Sequence, residues 1–414
     1  MIKLQTNDVK IPYTWKNVRL KEIAIINPQR PKNLNYGDDN LTTFVPMPAV
    51  CAAKGAIENP LTVPFKKVKK GYTFFMEGDV LFAKITPCMQ NGKHAIAENL
   101  INGIGFGTTE FHVIRPLNNV LAMWVHSFIR QEKVLSKATE SFTGAVGQQR
   151  VPKDFLENLI IPLPPLPEQK RIVEILHKQL ELVEKAKKSA EEKLQAVKKL
   201  RESLLNNVFR QMEILPTGWK YVTLGDVCEM MTGGTPNSSI REYYDNGNIK
   251  WLVSGDIHQK EIFDCPNRIT EKGLNNSNAK YLPVNSVLIA LNGQGKTRGT
   301  VALLRTEAAC NQSLLAMYPI DKEKLVSEYL YYVLTSIYQQ IRNITGDNHR
   351  SGLSITIVKQ IKLALPPLAE QKQIVEKLSK QLDAADKVLK QCEEELEAIN
   401  KLPASLLQKA FEGD

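Results

Sequence analysis

One feature of this sequence occurs twice and constrains the whole chain: a proline-rich motif followed by a long stretch with helical periodicity. The motif reads PPLPEQK at residues 164–170 and PPLAEQK at residues 366–372. The register between the copies holds far beyond the motif, because Phe209 matches Phe411 at the same offset of 202 residues. An internal duplication of this length predicts a two-part architecture.

Each copy of the motif opens a predicted coiled-coil helix. Mostly apolar residues recur at alternating spacings of three and four in both copies. The positions are Val173, Leu176, Leu180, Val183, Lys187, Ala190, Leu194, Val197, Arg201, Leu204 and Val208 in the first copy, and Val375, Leu378, Leu382, Ala385, Leu389, Cys392, Leu396, Ile399, Pro403, Leu406 and Ala410 in the second. A seam sustained over about five heptads predicts two helices packed along their length.

Local signals and charge agree with paired helices. Two prolines enforce an extended approach to each helix, and Glu168 and Glu370 lie in a first turn, where the helix dipole favours an anion. Residues 168–212 carry eleven Lys or Arg against seven Asp or Glu, whereas residues 370–414 carry seven against ten. Opposite net charges suit helices that lie side by side. We expect antiparallel pairing with one globular domain at each end of the rod; parallel pairing, with both domains at one end, is the alternative.

The duplication divides the chain into four segments. We interpret residues 1–163 and 213–365 as variable globular domains and residues 164–212 and 366–414 as helical spacers. The fold class is therefore α/β (mixed α+β), with two domains separated by two long antiparallel coiled-coil helices and related by an internal pseudo-twofold repeat.

Short apolar runs between turn residues define the expected content of the first domain. They predict strands at residues 45–50, 80–85 and 111–114, and residues 121–130 predict a helix. The second domain repeats the first only loosely, although the dipeptide Thr-Gly at residue 143 recurs at residue 345. One scaffold thus carries two sets of loops.

Charge and composition restrict the class of partner and the compartment. The formal net charge is +10 with a pI near 9.1, and the two helices nearly cancel, so about nine excess charges lie in the globular domains. This distribution favours nucleic acid as the partner of those domains. The six cysteines form no CxxC pair, which gives neither a disulfide framework nor a zinc site. No signal peptide or membrane-length apolar run is recognisable, so we expect a cytoplasmic protein without membrane contact.

The sequence offers no catalytic constellation and no set of metal ligands. Asn27-Pro28 begins like the Asn-Pro-Pro-aromatic motif of amino-methyltransferases, but the second proline and the aromatic residue are missing, so we interpret it as a turn. Residues 293–297 resemble the end of a P-loop, yet Ala290 stands where that motif requires glycine. The six histidines show neither metal-ligand spacing nor a paired nucleophile.

Polar residues in turn-rich loops of the first domain are the candidates for DNA contact. Lysine and arginine suit phosphates, while Arg, Asn and Gln read base edges. Three loops qualify: the basic run 66–70, for which a merely solvated surface is the alternative, the loop 84–93, and the loop 147–150, which we prefer for base contact. The candidates are Lys66, Lys69, Lys84, Thr86, Gln90, Asn91, Lys93, Gln148, Gln149 and Arg150.

The corresponding stretches of the second domain supply a second group of candidates with the same chemistry. Trp251 is a weak candidate for base stacking, because a tryptophan at a strand start more often lies in the core. The candidates are Lys250, Ser254, Asn292, Gln294, Lys296, Arg298, Asn348, His349 and Arg350.

The doubled Pro-Pro-Leu-x-Glu-Gln-x-x-Ile-Val sequence, with a long helix after each copy and a variable domain before it, resembles the specificity subunit of type I restriction-modification systems across the whole chain. The resemblance implies that residues 1–163 and 213–365 are target recognition domains, each binding one half of a split double-stranded DNA site. The helices would set the spacing between half-sites and dock two modification subunits. One departure is Pro403, which we expect to kink the second helix or end its regular part.

The resemblance also assigns the chemistry to other subunits. S-adenosylmethionine and adenine-N6 methylation would belong to the modification (methyltransferase) subunits, and ATP, Mg²⁺, translocation and cleavage to the restriction subunits. The chain itself would then be non-catalytic and hold no cofactor or metal.

Two other functions remain open. A coiled-coil scaffold that binds proteins without DNA specificity is the first alternative, and it would lack salt-dependent DNA binding. A fused nuclease is the second, since Asp154 and Glu168-x-Lys170 have the spacing of a metal nuclease. Glu168 opens a helix, however, and the second copy has no comparable upstream acid, which weighs against catalysis.

Overall fold

The computed structural model describes residues 15–32, 34, 36–145, 147–209, 215–293, 295–344 and 352–412. The chain divides into two compact units. Unit 1 comprises residues 1–191 together with 394–414, and unit 2 comprises residues 192–393. Each unit contains one mixed α/β domain with portions of both long helices.

Unit 1 is built mainly from short strands. The strands are β1 (Lys16–Arg19), β2 (Ala24–Ile26), β3 (Leu41–Val45), β4 (Val50–Cys51), β5 (Ala56–Ile57), β6 (Leu61–Pro64), β7 (Thr73–Met76), β8 (Val80–Ala83), β9 (His94–Ile96), β10 (Ile104–Gly107), β11 (Phe111–Pro116) and β12 (Ile160–Leu163). The helices are α1 (Leu20–Ile23), α2 (Ala122–Ile129), α3 (Glu132–Glu140), α4 (Lys153–Asn158) and the first part of α5 (Leu166–Phe209).

Two four-stranded sheets form the body of unit 1. One has the order β2-β11-β8-β9 with antiparallel neighbours, and the other has the order β6-β3-β10-β7 with β3 parallel to β10. The chain closes with β12 antiparallel to β1, Lys16 lying opposite Leu163. The main core lies between the first sheet, α2 and the long helices, with Trp124 and Ile114 fully buried.

Unit 2 repeats this plan with different loops. Its strands are β13 (Lys220–Thr223), β14 (Cys228–Thr232), β15 (Ile249–Leu252), β16 (Glu261–Ile262), β17 (Arg268–Ile269), β18 (Val287–Ala290), β19 (Val301–Leu304), β20 (Ala309–Cys310), β21 (Leu314–Pro319) and β22 (Lys362–Leu365). The helices are α6 (Leu224–Val227), α7 (Glu271–Asn275), α8 (Ser327–Ser336), α9 (Tyr338–Asn343), α10 (Ile355–Lys359) and α11 (Leu368–Glu412), whose last turns belong to unit 1.

The sheet topology of unit 2 matches that of unit 1 strand for strand in its main sheet. The order β14-β21-β18-β19 corresponds to β2-β11-β8-β9, with β16 added at the edge beside β19. A smaller sheet has the order β17-β15-β20, and β13 pairs with β22 as β1 pairs with β12. The duplication seen in the sequence is therefore a duplication of the fold.

Most of the elements predicted for the first domain are confirmed. Strands β8 and β11 and helix α2 occupy the predicted positions. The prediction of one strand at residues 45–50 is wrong, because β3 ends at Val45 and a 3₁₀ helix, Met47–Ala49, follows it. Pro46 and Pro48 lack backbone N–H groups, so a regular ladder cannot continue through this segment.

The two long helices carry the predicted seam. All 22 seam positions that the three-four spacing identifies are buried or half-buried, whereas the residues between them are mostly exposed. The charged seam residue Arg201 is explained by an ion pair within unit 2, where its Nε lies 2.8 Å from Asp386 Oδ1. No helix in the described part of the chain has an apolar stretch long enough to cross a membrane.

Each unit contains the start of one long helix beside the end of the other. In unit 1, Ile172 of α5 shares a core with Phe411 of α11. In unit 2, Leu205 of α5 shares a core with Leu378 of α11. A start packed against an end is the arrangement of antiparallel helices, and the predicted antiparallel pairing is confirmed within each unit.

Helix α11 continues through Pro403 to Glu412, so the expected end of regular helix at this proline is not observed. Packing at the end of the helix accounts for its continuation. The Phe411 ring lies 4.4 Å from the Trp124 ring and 5.2 Å from the Phe128 ring, centroid to centroid, and is buried. Tertiary burial of this aromatic side chain outweighs the loss of one helical hydrogen bond.

A buried glutamine in each motif joins the globular domain to its long helix. Gln169 accepts a hydrogen bond from the N–H of Leu121, at the start of α2, and donates to the carbonyls of Asn119 and Pro164. Gln371 makes the same three bonds in unit 2, with the Val326 N–H and the Lys324 and Pro366 carbonyls. Both side chains are fully buried, and each carboxamide satisfies a helix start that would otherwise lack a partner.

Unit 1 buries three histidines, His94, His112 and His126, whose titration should affect stability, because burial lowers the pKa of each. Burial lowers the pKa of His126 from 6.5 to about 4 and holds the pKa of His94 well below 6.5. The unfolded chain therefore binds more protons than the folded chain between these values. The contribution of these histidines to the free energy of unfolding is fully present above about pH 6.5 and is lost as the pH falls towards 4.

We predict that lowering the pH from 7.5 to 5 removes about 2 kcal/mol of stability through His126 alone. In His126→Gln, a neutral amide replaces the imidazole, so the loss of stability on acidification should be smaller. His177→Gln is the control, because His177 is exposed on α5. Urea unfolding at the two pH values measures the effect, and an unchanged pH dependence in His126→Gln would contradict it.

Candidate nucleic-acid interface

The two preferred loops of the first domain lie side by side in unit 1. The N–H of Thr86 donates to the carbonyl of Gln149 (3.1 Å), and the N–H of Val151 donates to the carbonyl of Lys84 (2.9 Å). Arg150 also pairs through its backbone with Thr143, which closes the second loop on itself. The two loops are separate candidates in the sequence, and the structure brings them together into one surface, here termed loop pair 1 (residues 84–93 and 143–151).

Loop pair 1 presents several polar side chains to solvent. Gln90, Asn91 and Gln148 are exposed, whereas Thr86 and Gln149 are half-buried. The Thr86 hydroxyl donates to Gln90 Oε1 (2.8 Å), which fixes the side chain of Gln90 relative to the loop. Amides held at a convex turn are suited to hydrogen bonding with base edges.

Arg150 binds the carboxylate of Glu110, which is not among the residues predicted from the sequence, and this carboxylate also influences Lys84. Arg150 makes a bidentate ion pair with Glu110, through Nε (2.9 Å) and Nη2 (2.7 Å), and donates from Nη1 to the Gln148 carbonyl (3.0 Å). The hydrogen bond from Arg150 lowers the pKa of Glu110. Burial lowers the pKa of Lys84, against the opposing influence of Glu110. Glu110 directly precedes β11, and nothing in its sequence context indicates a role beside an arginine 40 positions later.

Lys93 has partners within the protein. Its Nζ donates to the carbonyls of Met47 and Val50, both at 3.1 Å, and the side chain is half-buried. Met47 is the first residue of the 3₁₀ helix between β3 and β4, and Val50 is the first residue of β4. The lysine thereby ties loop pair 1 to the neighbouring sheet.

The basic run 66–70 is partly neutralised by two aspartates. Lys66 pairs with Asp39 (2.7 Å) and Lys69 with Asp38 (2.8 Å). Lys67 and Lys70 are exposed and make no ion pair with a described residue. The free positive charge of this run therefore resides on Lys67 and Lys70, which belong to the predicted basic run but are not among its individual candidate residues.

The predicted loops of the second domain also converge at their described residues. In unit 2 the N–H of Leu353 donates to the carbonyl of Leu291 (2.9 Å), as Val151 does to Lys84 in unit 1. Asn292 is exposed, and its carboxamide lies where a Cβ atom on Gly352 would have to be. Gln294, Asn348, His349 and Arg350 lie outside the described residues.

The remaining loop residues of unit 2 are braced by helix α9. Tyr338 donates from its hydroxyl to the Lys296 carbonyl (2.8 Å), and Arg342 donates to the Gly295 carbonyl (2.6 Å). The Lys296 side chain is exposed, and half-buried Arg298 lies against the carbonyl of Arg342 (3.5 Å). The loop therefore presents Lys296 and Asn292 from a supported backbone.

Lys250 and Ser254 lie apart from the hydrogen-bonded contacts between these loops. The Lys250 Nζ donates to the Phe263 carbonyl (2.9 Å) and the Thr306 hydroxyl (2.6 Å), and Ser254 begins a 3₁₀ helix, Ser254–His258. Trp251 is buried and donates to the Gly234 carbonyl, which confirms the prediction that it belongs to the core.

The motifs that imitated catalytic sites have structural explanations. Asn27 lies in a bend with a φ of 54°, and its carboxamide bonds to His112 and to the Val113 N–H, so the turn interpretation is confirmed. Glu168 pairs with Arg171 in the first turn of α5. Among the described residues, no three His, Cys, Asp or Glu side chains are grouped to hold a metal ion.

Lys93 allows a test of structural role against surface charge. Lys93→Met leaves two carbonyl acceptors without their charged donor, so we predict a loss of about 1–3 kcal/mol in the free energy of unfolding. Lys67→Met is the matched control, since Lys67 is exposed, and should change stability by less than about 0.5 kcal/mol. Chemical denaturation measures both, and equal stabilities would show that the Lys93 contacts contribute nothing.

Comparison with known proteins gives consistent relatives. A sequence profile of the type I restriction modification DNA specificity domain matches residues 12–193 and 216–398. The chain is 39% identical over 197 residues to the type I restriction enzyme EcoEI specificity subunit of Escherichia coli, which is 47% of this chain and 33% of that protein. It therefore aligns with only about a third of that relative's length.

Two further relatives are matched over nearly their whole length. A putative type I restriction enzyme MjaX specificity subunit of Methanocaldococcus jannaschii is 25% identical over 426 residues, which is 96% of this chain and 93% of that protein. A chain solved in a study of complex assembly and conformational transition of the type I R-M system has a TM-score of 0.81 at 24% identity, over 98% of this chain and 99% of that one, and shares the fold. The profile matches twice, and the two matches together cover most of the chain, so the chain belongs to the type I restriction-modification DNA specificity domain family.

Proposed function

We propose that this chain is the DNA-recognition subunit of a type I restriction-modification complex. Residues 1–163 and 213–365 act as two target recognition domains that read the two halves of a split, asymmetric DNA site. Residues 164–212 and 366–414 act as helical spacers that set the gap between the halves. The chain directs modification and restriction subunits to the site and performs no chemistry itself.

One observation carries this proposal: the family profile matches twice, and each match contains two polar loops that are joined by an equivalent backbone hydrogen bond. The Lys84–Val151 bond of unit 1 and the Leu291–Leu353 bond of unit 2 are equivalent, while the surrounding side chains differ. A protein that reads two different half-sites needs such an arrangement, with a constant frame and variable contact residues. A scaffold that only binds proteins would not need polar base-reading groups at both positions.

In this proposal the complex acts in the cytoplasm, where the DNA lies, and its cofactors are held by other subunits. Two modification subunits dock on the exposed faces of the spacers and hold S-adenosylmethionine. They would flip the target adenine out of the duplex before methylation. Restriction subunits hold ATP and Mg²⁺.

The first test expresses this chain with a methyltransferase subunit of the same system and maps N6-methyladenine across the host DNA by single-molecule sequencing. We expect a split motif with two defined halves and a fixed gap. The control is the same methyltransferase with a specificity subunit of known target. If the control methylates its own site while this chain forms a stable complex and yields no new motif, the scaffold interpretation replaces the proposal.

The second test shortens the spacer. Deleting residues 183–189 and 396–402 removes one heptad from each long helix and preserves the three-four seam of both. Seven residues span about 10 Å of helix, or roughly three base pairs at 3.4 Å each. The gap in the methylated motif should shrink by about that number while both halves stay the same. An unchanged gap in a folded variant would show that the helices do not measure the spacing.

A further inference from the structure

The ion pair between Glu110 and Arg150 leaves the arginine only part of its hydrogen-bonding capacity. Glu110 engages Nε and Nη2, and the Gln148 carbonyl engages Nη1. Three of the five guanidinium N–H groups are thus used within the protein, which leaves two for another molecule. The Arg150 side chain is 42% exposed and Glu110 is 22% exposed, so the guanidinium is accessible while the carboxylate lies beneath it.

The fold of the loop pair does not require this charged cluster. Unit 2 builds the same backbone pairing: the N–H of Leu291 donates to the Ser313 carbonyl as that of Lys84 donates to the Glu110 carbonyl, both at 2.9 Å. At the three equivalent positions unit 2 has Leu291, Ser313 and Gly352, and none of these is charged. One of the two copies of the scaffold forms without this cluster. The cluster is therefore best explained by what the loop contacts.

The bidentate pairing with Glu110 favours a base over a phosphate as the ligand of Arg150. Glu110 offsets the arginine's charge, which weakens its attraction for a phosphate group. The hydrogen bond from Arg150 lowers the pKa of Glu110, so the carboxylate stays ionised at neutral pH. What Arg150 retains is a pair of directional donors on a guanidinium whose orientation is fixed, and guanine O6 and N7 are the acceptors that arginine recognises in the major groove.

We propose that Glu110 is a specificity-determining residue, which orients Arg150 to read a guanine in the half-site bound by unit 1. Glu110 acts through the arginine and is thus a positioning residue. This inference rests on the function proposed above and adds to it a residue, a base and a half-site. In unit 2 the side chain of Asn292 lies at the position equivalent to Arg150, so the second half-site is read by a different donor set.

The test measures methylation of single-base variants of the split motif by the complete modification complex carrying Glu110→Gln. The glutamine keeps the size of the side chain but loses the charge and one acceptor, so Arg150 gains freedom to rotate. We expect discrimination against the other three bases to fall by about tenfold or more at one guanine of one half-site, with little change at the remaining positions. Arg150→Lys should relax the same position, because lysine cannot form the bidentate contact.

Ser313→Ala is the matched control, since Ser313 occupies the equivalent position in unit 2 and uses its backbone for the pairing. It should leave both halves of the motif unchanged. Circular dichroism and thermal unfolding show that each variant is folded. Glu110→Gln with unchanged discrimination, or with an equal loss at every position, overturns the inference while leaving the proposed function in place. Absence of any split motif with the unaltered chain overturns both.

Discussion

The buried carboxamides of Gln169 and Gln371 determine how each domain continues into its long helix. Each amide accepts from the N–H of the residue just before a domain helix and donates to two carbonyls, one of them in the proline-rich turn before the long helix. An unpaired polar group at either buried position would cost about 1–3 kcal/mol, so the three bonds form together. Asparagine is too short for this reach and glutamate lacks the donors, which explains why the same residue stands in both motifs.

Around this junction the two units place aromatic side chains in related ways. Trp124 in unit 1 donates from its indole to the Pro162 carbonyl, and Tyr329 in unit 2 donates from its hydroxyl to the Ala364 carbonyl. The end of a long helix covers each of them, Phe411 on Trp124 and Phe209 on Tyr329. Because the end of a long helix is anchored by burial in each unit, the loops are free to vary without loss of the fold.

The sequence predicted the features that depend on periodicity and repetition. Residue spacing alone predicts the seam positions, the duplicated frame and strands such as β8, because helices and strands each impose their own period on the apolar residues. It could not predict the partners of long charged side chains, since Lys93 bonds to carbonyls more than 40 residues away and Arg150 to a carboxylate 40 residues before it. The rule that proline ends a helix fails at Pro403, because the burial of Phe411 against a part of the chain far away in sequence keeps the helix regular.

These pairings change the meaning of the net charge. The formal charge of +10 already subtracts the carboxylates that pair with Lys66, Lys69 and Arg150, but it does not show which cations have no carboxylate beside them. At a distance the excess charge would attract a polyanion such as DNA, because the summed field does not depend on which groups are paired. At contact the pairing decides. An exposed lysine such as Lys67 can neutralise any phosphate. An arginine paired with a carboxylate carries little net charge but has two hydrogen-bond donors in a fixed orientation, so it binds well to only one kind of base edge. Under the proposed function, attraction and discrimination in unit 1 would therefore reside on different residues.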